Sequence, residues 1–208
     1  MEPLSFFDTP ALCIGVRARH MIYQIVYLLL DVAVGLVAGM CLLRAYMQFQ
    51  RIPMSVRAGN PAGPFIFALS DWIVLPLRRV LPRTPAFDLA SLFAAFLLEL
   101  AQFGVLWLLQ GGQGDGMSVP VMAFFGVLRL LISGLTGLVV IYALLSWVQV
   151  QSEASDLLDR LIAPPLTPIR RHLPLMGGVD LSPLALLVLL QIANLVMLSA
   201  QAWVLAWV

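Results

Sequence analysis

The chain has 208 residues, 61% of them hydrophobic and 11% charged, with a formal net charge of +1 and a mean hydropathy of +0.96. Soluble domains carry about 25% charged residues, so there is too little polar surface here to face water, and lipid must solvate much of the fold. The near-neutral balance lacks the basic footprint of a nucleic-acid-binding protein.

Residues 1–20 form a leading segment ahead of the first apolar run. That run exceeds the ~7–15 residues of a signal-peptide core and is read as a span. Cys13 and Cys41 have neither disulfide nor metal-ligand spacing and read as small apolar side chains. Four stretches reach the ~20 residues of helix that cross a bilayer. They are Met21–Leu43, Phe87–Leu109, Val121–Val148 and Leu181–Val204. The glycine-rich turn at 110–116 divides the chain into units 21–110 and 117–208.

Between its two spans, each unit carries a stretch of helical periodicity. The first, Phe65 to Leu81, is apolar and contains Trp72. In the second, Leu157, Leu158, Leu161, Ile162, Leu166 and Ile169 recur opposite Asp156, Asp159, Arg160 and Arg170. Both are predicted to be amphipathic helices in the interface plane. Pro76 and Pro82 in the first, and Pro164, Pro165, Pro168 and Pro174 in the second, are predicted to stop or kink them.

The units match one another. Residues 75–82 align without gaps onto 167–174, and the register continues so that Asp88 falls on Asp180 and Glu99 on Gln191. Upstream, Ala45 falls on Ala143 at a shift larger by six residues, the difference lying in the connecting loop. Such repetition argues for duplication. With an even number of spans per unit, the copies are expected to be parallel repeats about an axis along the membrane normal. Arginines crowd the two connecting loops, Arg44, Arg51, Arg57, Arg78, Arg79 and Arg83 in the first and Arg160, Arg170 and Arg171 in the second. The positive-inside rule then makes both loops cytoplasmic, against the opposing vote of Arg17 and Arg19.

The arginine pairs Arg78–Arg79 and Arg170–Arg171 are candidate binders of anionic headgroups or of an acidic membrane partner, since guanidinium groups suit phosphate. Topological anchoring is the plainer role. Asp88 and Asp180 follow each pair at equal distance and are expected to cap the next span. Ser182 and Pro183 read as an N-cap and a first-turn proline. Inside the spans, Asp31, Glu99 and Arg129 must face protein or water, because each is costly against lipid. Asp31 and Arg129 occupy equivalent repeat positions. Gly35 and Gly39 continue the stripe in one helix, Ser133 and Gly137 in the other. The first and third spans are therefore expected to pack through this small-residue face, with Asp31 and Arg129 ion-paired.

The runs Ala143-Leu-Leu-Ser-Trp147, Pro168-Ile-Arg-Arg171 and Gly177-Gly-Val-Asp-Leu-Ser-Pro183 resemble the YggT family, called YlmG in some lineages. In the first unit, Pro76-Leu-Arg-Arg79 and Asp88-Leu-Ala-Ser91 resemble the first repeat of its two-repeat bacterial members. The resemblance runs from Tyr23 to the C-terminus. It departs at Arg83-Thr-Pro-Ala86, where the family carries a glycine-rich turn like Gly177-Gly178. The resemblance implies a small inner-membrane protein of a family linked to osmotic tolerance, division and cytochrome maturation, with no catalytic residues to carry over.

The expected fold is thus all-α: four transmembrane helices in two parallel tandem repeats, each with an interfacial helix. No enzymatic activity, metal or cofactor is expected. The favoured function is a scaffold or assembly factor that engages lipid headgroups or membrane proteins, with homo-oligomers open to it. The alternative is an ion or osmolyte transport component. A dry, tightly packed centre favours the scaffold, and residues that line a water-filled cavity favour transport.

Overall fold

The computed structural model describes residues 10–55, 60–81, 88–112, 115–148, 153–172 and 180–207. Those residues form six helices and no strand: α1 Pro10–Phe49, α2 Gly63–Val80, α3 Leu89–Leu109, α4 Ser118–Val148, α5 Glu153–His172 and α6 Ser182–Leu205. Four segments are long and apolar enough to cross a membrane: Met21–Phe49, Leu89–Leu109, Ser118–Ser146 and Ser182–Leu205. Their outward faces remain apolar, as on α1 at Ile25, Leu28 and Leu29 and on α6 at Leu184, Leu195 and Val196. Lipid is the solvent those faces suit. Helix α1 extends upstream of Met21 to Pro10, so no break separates the leading segment from the first span.

The spans pack in a row, α1 on α3, α3 on α4 and α4 on α6. A twofold relation about an axis through α1 and α4 would also set α6 on α1 as closely as α3 on α4, and the packing has no such match. The small-residue contact lies elsewhere than expected. Ala38 and Cys41 of α1 meet Ala90, Ala94 and Ala95 of α3 in one buried cluster, where short side chains let helices approach closely. A Cβ on Gly35 would meet Leu130 Cδ2 at 3.8 Å, but one on Gly39 or Gly137 would meet nothing within 4 Å. The glycine stripe therefore lines a gap between α1 and α4. The physical reason is α5, whose Leu161, Ile162 and Leu166 are buried among Met47 of α1, Val139 of α4 and Leu186 of α6.

Helix α2 starts on a polar loop. The Asn60 side-chain oxygen accepts from the Ala62 and Gly63 amides at 3.1 and 3.2 Å, and its nitrogen donates to the Pro53 carbonyl at 3.0 Å. A Cβ at Gly63 would overlap the Met54 carbonyl, so the turn needs glycine there. Ile66, Ser70 and Val74 then form the buried stripe, at the spacing of one helix face. The helix ends at Leu81, whose extended backbone (φ −88°, ψ 138°) is the conformation imposed on a residue that precedes proline.

The prolines do not stop the helices as the sequence suggested. Helix α2 runs through Pro76, and α5 runs through Pro164, Pro165 and Pro168; Pro82 and Pro174 lie outside the described residues. Proline removes the N–H that would bond the carbonyl four residues back, which for Pro165 is that of Leu161. That carbonyl accepts from Tyr46 Oη at 2.8 Å and Gln50 Nε2 at 3.1 Å. Helix α1 thus supplies donors where α5 lacks one.

This substitution of donors has a testable signature. Tyr46→Phe combined with Gln50→Leu orphans the Leu161 carbonyl and is expected to cost about 1–3 kcal/mol, read as a fall in Tm of the detergent-solubilised protein. Adding Pro165→Ala returns a backbone N–H to α5 and should recover much of that loss. The same recovery failing to appear would contradict the assignment.

Candidate functional site

At the loop ends of the spans, the same device occurs in both units. Arg78 donates to Asp88, and Arg170 donates to Asp180 through Nε at 2.9 Å and Nη2 at 2.8 Å. Each aspartate also caps the following helix. Asp88 accepts from the Ser91 amide at 3.3 Å and from its hydroxyl at 2.7 Å, and Asp180 accepts from the Ser182 amide at 2.9 Å. Ser182 is therefore the first residue of α6, with Pro183 next; Leu181 holds the N-cap position without a side-chain cap, and it is Asp180, one residue earlier, that meets the first amide of the helix. Burial works to raise the Asp88 pKa, but hydrogen bonds from Ser91 and Arg78 outweigh it and hold the carboxyl below its ordinary value. Asp180 is lowered in the same way, with Ser182 and Arg170 outweighing burial.

Within each arginine pair, the second member is left over. Arg79 and Arg171 are exposed and take no partner among the described residues. Gly177 and Gly178 lie outside the described residues.

Arg44 departs from its expected place in the first loop. It lies inside α1 and is 3% exposed. Its Nη1 donates to Ser70 Oγ at 2.9 Å and to Asp71 Oδ1 at 2.6 Å, and its guanidinium stacks 4.8 Å from the Phe67 ring centroid. Asp88 lies 3.9 Å from its Nε. The repeat-equivalent residue is Tyr142, which accepts from Arg170 Nη2 at 2.8 Å. Spacing had assigned Arg44 to topology. The missed signal was Ser70-Asp71 at the midpoint of a helix that is otherwise apolar up to its closing arginine pair, two polar groups in need of a donor.

The intramembrane ionisable residues do converge. Asp31 and Arg129 face one another at 3.8 Å, each side chain a little under half exposed. Gln102 Nε2 donates to Asp31 Oδ1 at 3.3 Å. Glu99, the eleventh of the 21 residues of α3, is 3% exposed, and its Oε2 has no hydrogen-bond partner. The carboxylate lies over Gly126, where any Cβ would overlap it. Asp31, Glu99 and Arg129 line a cavity of about 330 Å³ between α1, α3, α4 and α6. Ser133, Thr136, Gln191 and Asn194 complete its polar wall, and Asn194 Oδ1 is likewise buried without a partner. The sequence carried a signal for Asn194 that was not used. Gln102 and Asn194 stand at the same shift as Glu99 and Gln191, so each of α3 and α6 bears two polar residues three apart, on one face. Among the described residues, no group of three His, Cys, Asp or Glu side chains is placed to hold a metal ion.

Six helices, four of them of membrane-crossing length, and an ionisable cluster set within those four define a small multi-pass helical membrane protein. The family model described as CCB3/YggT matches residues 23–109 and 121–201, and the chain belongs to that family. The protein of Escherichia coli (strain K12) described as uncharacterized protein YggT is 35% identical over 173 residues, 80% of this chain and 86% of its own. An uncharacterized protein of Haemophilus influenzae is 31% identical over 181 residues, 83% of this chain and 92% of its own. A Vibrio alginolyticus protein, described by its place in the proC 3′ region, is 36% identical over 142 residues, 66% of this chain and 76% of its own. No solved structure gives a significant match.

The Asp88 pair makes stability depend on acid. Its pKa lies below the ordinary 3.8 in the folded state, so its contribution is complete at neutral pH and is lost as pH falls below about 4. Asp88→Asn is expected to lower stability by about 2–3 kcal/mol at pH 7. The gap between variant and parent should close as thermal unfolding is followed down to about pH 3, and a gap that is independent of pH would contradict the pairing.

Proposed function

We propose that the chain is a non-enzymatic component of ion transport in the bacterial inner membrane, with Glu99 as the carboxylate that receives a monovalent cation or a proton. The observation that carries this reading is the Glu99 Oε2 atom, buried at the midpoint of α3, unpartnered, and lining a polar cavity. Intramembrane carboxylates of this kind mark ion and proton paths. Asp31, Glu99 and Arg129 together carry a net charge of −1 when ionised, which favours a cation. The partial exposure of Asp31 and Arg129 supplies a way in from one flank.

The scaffold reading preferred from sequence is favoured by a dry, tightly packed centre, and a polar cavity of this size lends it less support. It retains one supporting observation, the unpartnered Arg79 and Arg171, which suit anionic headgroups on the cytoplasmic side. In the present reading those two arginines anchor the loops at the cytoplasmic surface, in the orientation favoured by the positive-inside rule.

Potassium and proton flux in proteoliposomes test the proposal. Flux should fall by about tenfold or more in Glu99→Gln, which removes the charge and keeps the shape. Tight vesicles with parent and variant alike, or equal flux through both, would overturn it.

A further inference from the structure

The polar cavity does not end at its charged residues. Gly35 and Leu130 line both it and a second, adjoining cavity of about 320 Å³ between α1 and α4. The second cavity has a different character. Its walls are leucines and glycines, with Met40, Tyr46 and Ile141. The Tyr46 hydroxyl is already committed to the Leu161 carbonyl. A Cβ on Gly39, Gly134 or Gly137 would meet nothing from a neighbouring element within 4 Å, so there is open space beside each glycine. From Gly35 to Tyr46 the cleft follows α1 for about 16 Å at 1.5 Å per residue, half of a hydrocarbon layer of about 30 Å. That is the reach of one lipid chain in one leaflet.

The charged end has two unmet needs of opposite sign. Glu99 Oε2 lacks a donor. Arg129 lacks a hydrogen-bond acceptor: its ion pair to Asp31, at 3.8 Å, is too long for a hydrogen bond, and its attraction to Glu99 is through space, with no hydrogen bond between them. Five guanidinium N–H donors without an acceptor are costly within a span. A single ligand answers both needs if it carries an ammonium and an anionic oxygen close together and has an apolar chain. We infer that the adjoining cavities bind a phospholipid with a primary-amine headgroup. Its ammonium donates to Glu99, its phosphate accepts from Arg129, and one acyl chain lies in the α1–α4 cleft. Guanidinium suits phosphate bidentately. A quaternary ammonium has no N–H to donate, and a headgroup without nitrogen has no positive charge, so both should bind less well.

The inference rests on Glu99 being the cation-receiving carboxylate of the proposed function, and adds Arg129 and the glycine cleft to it. Full-length protein in detergent is incubated with an equimolar mixture of ethanolamine, choline and glycerol phospholipids with identical chains, and retained lipid is read by native mass spectrometry. The ethanolamine lipid should be retained about tenfold over the other two, the preference of one charge-assisted hydrogen bond. Glu99→Gln should abolish that preference. Gly39→Leu and, separately, Gly134→Leu fill the cleft away from the charges and should remove retention of all three lipids while the Tm stays near that of the parent. Equal retention of the three headgroups by the parent, or retention unchanged in both stable cleft variants, overturns the inference. If headgroup preference is absent but ion flux still needs Glu99, the transport reading stands alone. If vesicles are ion-tight but lipid retention needs Glu99, the lipid is the ligand and the ion reading falls.

Discussion

A carboxylate at the midpoint of an apolar helix constrains everything packed around it. Glu99 cannot be turned to lipid without a large cost, so α3 must hold it against a neighbouring helix. That neighbour must offer room, and Gly126 of α4 does so by having no side chain to collide with the carboxylate. With α3 fixed against α4 in this register, Gln102 reaches Asp31 on α1, and Arg129, on the helix that carries Gly126, comes to face Asp31. The order of the row α1–α3–α4–α6 fits this requirement. A strict twofold arrangement does not, because α1 has Leu28 at the position equivalent to Gly126 and α6 has neutral Gln191 in place of Glu99.

The second organising element is α5. Its buried leucines press in among α1, α4 and α6 and hold α1 and α4 apart on the side of the connecting loops. It can do so only as one continuous helix, and it stays continuous past Pro165 because Tyr46 and Gln50 take the carbonyl that proline leaves free. The cleft, the polar cavity and the proline-rich helix are thus one construction. The Arg–Asp pairs at the loop ends fix the far side of it, tying α2 to the start of α3 and α5 to the start of α6.

Much of this was legible in the sequence. Four spans and two intervening helices follow from run lengths and periodicity, and the Arg78–Asp88 and Arg170–Asp180 spacings repeat visibly. The approach of Asp31 to Arg129 followed from the cost of charge in lipid together with their equivalent repeat positions. Three features were hidden, each for a physical reason. Proline was read as a stop or a kink, but whether a freed carbonyl finds a donor depends on α1, more than a hundred residues away in the chain. The glycine stripe was read as a contact, but small residues permit either close approach or a gap, and the wedge of α5 decides which. Arg44 was read as a loop residue because its acceptors, Ser70 and Asp71, belong to another helix.

The account stands on the Glu99 carboxylate taking up a cation, and infrared difference spectroscopy reads that group directly. The protein is reconstituted in vesicles free of amine-headed lipid and perfused alternately with potassium and with a bulky organic cation. A shift in carboxylate stretching bands that is present in the parent and missing in Glu99→Gln is the expected result. Spectra that do not change on exchange, or that change identically in the variant, would contradict the account and leave the buried charges as links between helices.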